Sequence, residues 1–123
     1  MYICAIRISM KWKELSSVAA WQAACERSCE LPVIIFKHST RCSVSVMAKR
    51  NVESSWEYDP DEAEVYLLDL LSHREISNEI ANYSGVKHES PQLILLKNKL
   101  AVHHASHSDI NTENLRQFLN RTV

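Results

Sequence analysis

Pro32-Val33-Ile34-Ile35-Phe36-Lys37-His38-Ser39-Thr40-Arg41-Cys42-Ser43-Val44-Ser45 decides how this chain folds. Val33 to Phe36 is a short, continuous apolar run rich in β-branched residues, the pattern of a buried strand. Ser39 to Arg41 is a polar turn. A helix is then expected to open at Cys42 or Ser43, with Val44, Met47, Ala48 and Val52 as its buried stripe. A cysteine at the start of a helix lies where unpaired N–H groups and the helix dipole favour the thiolate, the form of cysteine that attacks disulfides. Strand, turn, cysteine and helix in this order point to sulfur chemistry at Cys42.

Upstream, Ser16 begins a helical pattern in which Val18, Trp21, Cys25 and Cys29 share one face, and Pro32 ends it. A short strand is expected near Trp12. Residues 1–9 are read as an N-terminal extension, or as one more strand, ahead of a domain over 10–123. Downstream, Asp59-Pro60-Asp61 marks a loop, and Val65 to Asp69 is a second strand. Ser72 and Glu75 have capping-box spacing. Ile76, Ile80 and Tyr83 then line a helix that Gly85 is placed to end. Gln92 to Lys97, the Asn98-Lys99 turn and Leu100 to about Ala105 read as a hairpin. Asn111 is a plausible cap for a last helix, which Leu115, Phe118 and Leu119 would pack onto the sheet. A β-α-β unit followed by β-β-α predicts an α/β, thioredoxin-like fold: a mixed central sheet with helices on both faces.

The totals narrow the function. The chain has 123 residues, 46% of them hydrophobic, and a net charge of −1. One domain is expected, with no field that would attract nucleic acid or an anionic membrane. The first ten residues lack a basic region followed by an unbroken apolar one, so the expected location is the cytoplasm. Gly85 is the single glycine, which argues against glycine-rich phosphate loops. The four cysteines, Cys4, Cys25, Cys29 and Cys42, form no C-x-x-C pair and are expected as free thiols. His103, His104 and His107 form H-H-x-x-H, but neighbours on a strand face opposite ways, and no metal is expected.

Phe36-Lys37-His38-Ser39-Thr40-Arg41-Cys42-Ser43-Val44-Ser45, His73-Arg74-Glu75-Ile76-Ser77-Asn78, Val86-Lys87-His88-Glu89-Ser90-Pro91-Gln92 and His104-Ala105-Ser106-His107 occur in the order that resembles the YtxJ family, the monothiol bacilliredoxins. The resemblance runs over roughly residues 10–120. It implies a thiol–disulfide oxidoreductase that removes bacillithiol, a low-molecular-weight thiol, from protein mixed disulfides. It places the active cysteine at Cys42 and the facing proline, usually preceded by a cis peptide bond, at Pro91. Bacillithiol would be a co-substrate, with no tightly bound cofactor. The partners would be bacillithiolated proteins and a recycling reductase, and the chain a monomer.

Ser45 occupies the position where dithiol enzymes carry a second cysteine. A monothiol site stops at the mixed disulfide until an outside thiol releases it. Ser45 is expected within reach of the Cys42 sulfur. Thr40 and Arg41 flank the nucleophile, and Arg41 could meet a carboxylate of the small thiol. Ser90 and Pro91 would offer backbone to an extended substrate. Lys37 and His38 end the strand, one of them pointing inward and able to tune the thiol. Cys25 or Cys29 remains open as an internal resolving thiol, beside the plainer reading of both as small buried hydrophobes. Two other functions stay in view: a general thiol–disulfide exchanger, and a redox-inert binding module.

Overall fold

A computed structural model describes residues 10–119; Cys4 and the expected extension over residues 1–9 lie outside the described residues. The elements run β1 (Lys13–Glu14), α1 (Val18–Arg27), β2 (Val33–His38), α2 (Ser43–Ser55), β3 (Glu64–Asp69), α3 (Arg74–Ser84), β4 (Gln92–Lys97), β5 (Leu100–Ser106), a short 3₁₀ turn (His107–Asp109) and α4 (Leu115–Leu119). The five strands form one sheet in the order β1-β3-β2-β4-β5. β1 and β2 both run parallel to β3, whereas β4 runs antiparallel to β2 and to β5. The sheet is therefore mixed, as the element order predicts.

β2 is the centre of the sheet, and all six of its residues are buried. Successive side chains leave a strand on opposite faces, so Val33 and Ile35 serve one core and Ile34 and Phe36 the other. The first core joins them to Trp21, Ala24 and Cys25 of α1, Ile76 and Ile80 of α3, and Ile94 and Leu96 of β4. The second joins Ile34 and Phe36 to Val52 of α2, Leu93 and Leu95 of β4, and Leu115 of α4. Helices α1 and α3 thus cover one face, α2 and α4 the other.

Local chemistry sets the ends of the elements. Ser17 caps α1 by accepting the Ala20 amide at 3.0 Å. Gly85 ends α3 in the left-handed conformation (φ 76°), its amide donating to the Ala81 carbonyl. A glycine adopts that conformation without Cβ strain. Asn98 and Lys99 make the tight turn between β4 and β5, both with positive φ. The turn is tied to the end of α1, where Ser28 accepts from both of their amides.

Four local expectations need correction. On α2, Ser45 and Val52 are the buried residues, while Val44 and Met47 are 51% and 57% exposed. On α1, Val18 and Cys29 are exposed, and Cys29 lies beyond the helix end. Ser72 does not cap α3: His73 occupies that position, and the Ser72 hydroxyl donates to Asp69 instead. Tyr83 is half exposed rather than part of the buried stripe, its ring edge-on to Trp21 at 5.5 Å.

Candidate active site

The sheet has two ends, and the three described cysteines are divided between them. Cys42 follows the C-terminal end of β2, where it is the N-cap of α2 with extended backbone (φ −106°, ψ 118°). Its carbonyl accepts the Val46 amide at 3.0 Å, and its own amide donates to the Ser39 carbonyl at 3.2 Å. The thiol plays no part in capping and is half-buried. The first amides of a helix have no intrahelical acceptor, so the start of α2 turns its positive end toward the turn that carries the sulfur. Thr40 and Arg41 are exposed beside it.

Pro91 belongs to the same end. Lys37 of β2 pairs with Gln92 of β4, so the residue before Gln92 flanks the end of β2 and the turn that follows. The Ser90–Pro91 peptide is cis, as the resemblance implies. Pro91 is buried, and its carbonyl accepts the His107 amide at 3.0 Å.

The two residues that end β2 are both inside. Lys37 and His38 are 0% and 6% exposed, whereas strand alternation led to the expectation of one inward residue. A central strand is covered on both faces, so alternation sorts its side chains between two interiors. Lys37 enters the α1–α3 side, with Nζ 3.4 Å from the Ser77 carbonyl oxygen and 3.5 Å from His88 Nδ1. Burial brings its pKa down to about 8. His88 Nδ1 meets the Ser77 hydroxyl at 2.8 Å. Burial first, then Lys37 and Arg74, hold the His88 ring below the ordinary histidine value, against Glu89. Ser77 lies in one of the segments that carry the resemblance, but nothing in the sequence places it beside Lys37.

His38 enters the other side and meets Ser45, Nδ1 to Oγ at 2.6 Å. Ser45 is fully buried, and its Oγ also accepts the Ser39 amide at 3.0 Å. Its hydroxyl is therefore engaged with the turn preceding Cys42. The Ser90 hydroxyl and Gln92 Oε1 are buried without a hydrogen-bond partner.

Cys25 and Cys29 lie at the far end of the sheet. Both are within a turn of Ser28, which binds the β4–β5 turn, and that turn adjoins Val33, the opposite end of β2 from His38. A six-residue strand spans roughly 16 Å, whereas a disulfide needs Cα atoms within about 7 Å. In this arrangement neither thiol can resolve Cys42 internally. His103 stacks on the Phe118 ring at 4.2 Å. Among the described residues, no group of three or more His, Cys, Asp or Glu could hold a metal ion. No helix among them is long and apolar enough to cross a membrane.

Residues 13–115 match the family described as "Monothiol bacilliredoxin BrxC". The chain belongs to the monothiol bacilliredoxin family. Among solved structures it is similar to a proposed oxidoreductase with a thioredoxin fold, at 29% identity and TM-score 0.72, covering 89% of this chain and 92% of that one. A thioredoxin from Malassezia sympodialis superposes at TM-score 0.73 with 14% identity, covering 96% of each chain. Fasciola hepatica thioredoxin does so at 0.67 with 16% identity, covering 89% and 97%. At those identities the two thioredoxins speak to fold alone. Fold and family together make this bacilliredoxin-family chain a thioredoxin-fold thiol–disulfide oxidoreductase.

Proposed function

We propose that the chain removes bacillithiol from protein mixed disulfides, with Cys42 as the attacking thiol. The supporting observation is the separation of Cys42 from Cys25 and Cys29, at opposite ends of the sheet, with Ser45 standing where a resolving thiol would be. The Cys42 thiolate attacks the bacillithiol sulfur of the modified protein. A Cys42–bacillithiol disulfide forms, the protein–bacillithiol disulfide breaks, and the protein thiolate leaves and takes a proton from solvent. A second bacillithiol thiolate then attacks the adduct, releasing bacillithiol disulfide and the Cys42 thiolate; a reductase can supply the same two electrons.

In this reading Thr40 and Arg41 contact the small thiol, and Ser90 and Pro91 carry backbone toward the client. Ser45 supports the turn from within. The chain works as a monomer in the cytoplasm, needs no resident cofactor, and meets its clients transiently.

The test offers one client protein as its bacillithiol and its glutathione mixed disulfide. Faster release of the client thiol from the bacillithiol form supports the assignment. Equal rates would make the chain a general thiol–disulfide exchanger, and no release from either would remove the proposed activity.

A further inference from the structure

Beneath the turn that carries Cys42 lies a pair of buried side chains that the exchange reaction does not consume. Ser45 Oγ accepts the Ser39 amide at 3.0 Å and meets His38 Nδ1 at 2.6 Å. The Ser39 carbonyl in turn accepts the Cys42 amide at 3.2 Å. Imidazole, hydroxyl and turn therefore form one connected chain ending at the nucleophile's own backbone. We infer that His38 is a positioning residue for Cys42, acting through Ser45, and that its protonation state decides where the Ser45 hydroxyl proton points.

A hydroxyl has one hydrogen and two acceptor sites. The Ser39 amide fills one site, so the hydrogen is free to point along the contact to His38. With a neutral ring, Ser45 donates to Nδ1 and His38 carries its proton on Nε2. A protonated ring would donate from Nδ1 instead and fill the second site on Ser45. The hydroxyl hydrogen must then leave His38. The acid form would therefore rearrange the hydrogen bonding of the Ser45 hydroxyl beneath the turn that carries Cys42.

The charged groups facing His38 come from two elements. Burial, then Lys49 of α2, hold the ring below the ordinary histidine value, while Asp69 of β3 and Glu53 of α2 oppose them. The neutral arrangement is then the one present at neutral pH. The inference concerns the reactivity of Cys42 itself and does not depend on which small thiol the chain serves.

Imidazole ¹⁵N NMR of the wild-type protein at neutral pH reads the tautomer directly. The Nε2–H form of His38 is expected, and an Nδ1–H form would overturn the inference. The second readout is the rate at which Cys42 attacks bis(2-hydroxyethyl) disulfide, followed by peptide mass mapping across pH. Ser45→Ala should slow it by about tenfold or more through loss of turn geometry, and Ser45→Thr should recover most of that loss. The wild-type profile should contain an acid-side inflection that His38→Gln removes. Equal rates in Ser45→Ala and Ser45→Thr, or a profile unchanged in shape by His38→Gln, would mean that the pair is only packing.

Discussion

Lys37 lies directly across the β2–β4 ladder from Gln92, and both side chains are buried next to the loop that carries Pro91. The Lys37 ammonium has only long contacts there, 3.4 Å to a carbonyl oxygen and 3.5 Å to a ring nitrogen, which are weak hydrogen bonds. Its charge is therefore poorly compensated. Burial holds its folded-state pKa at about 8, below the ordinary lysine value of 10.5. The unfolded chain binds more protons between those values, so this group's contribution to stability rises with pH across that window and its cost is fully present below it. Lys37→Met should raise stability near pH 7 by about 1 kcal/mol or more. It should also flatten the stability profile between pH 8 and 10.5, measured by urea unfolding.

Glu64 is the anchor at the opposite end of the sheet, where β3 begins across from Val33. It accepts from Arg27 Nε at 2.8 Å and from the Tyr66 hydroxyl at 2.8 Å, and pairs with Lys13 at 3.4 Å. Burial alone would push its carboxyl up, but Tyr66, Arg27 and Lys13 together bring it below the ordinary value. Its stabilisation is present above the unfolded carboxylate pKa and is lost as pH falls through the folded one. Glu64→Gln should cost about 1–2 kcal/mol at neutral pH. The gap from wild type should close on acidification, as followed by thermal melts.

Gly85 sits at φ 76° with nothing within 4 Å of where a Cβ would stand. Strain is then the only penalty for a side chain. Gly85→Ala should lower stability by about 1–2 kcal/mol, and Gly85→Asn by less, since asparagine visits this conformation more readily. Denaturant midpoints at constant slope would check both.

Cys25 and Cys29 are separated from Cys42 by the length of β2. Cys29→Ser and Cys25→Ala should each leave the rate of disulfide exchange unchanged within experimental error. Cys25→Ala should cost some stability, because Cys25 is part of the α1 core. Steady-state assays beside unfolding curves separate the two effects.

Much of this architecture is legible from local pattern. Val33 to Phe36 reads as a buried strand, Gly85 as a helix stop, and Cys42 as following a strand and opening a helix, as the structure has it. What local pattern missed depends on neighbours remote in sequence. The apolar spacing of α2 suggested Val44 and Met47 as core, but the helix turns Ser45 inward because His38 and the Ser39 amide supply its hydrogen bonds. Asp69 displaced Ser72 from its capping role by taking the Leu71 amide and the Ser72 hydroxyl. Lys37 was readable as a residue at the strand end. Its burial against Ser77 and His88 was not, because those partners arrive from α3 and from the loop before Pro91.

The most direct test of the central claim is mass spectrometry of the protein after incubation with a bacillithiol-modified client, beside Cys42→Ser. A single bacillithiol adduct on Cys42, with release of the client thiol and neither event in Cys42→Ser, is the predicted result. An internal disulfide between Cys42 and Cys25 or Cys29, or continued release by Cys42→Ser, would contradict it.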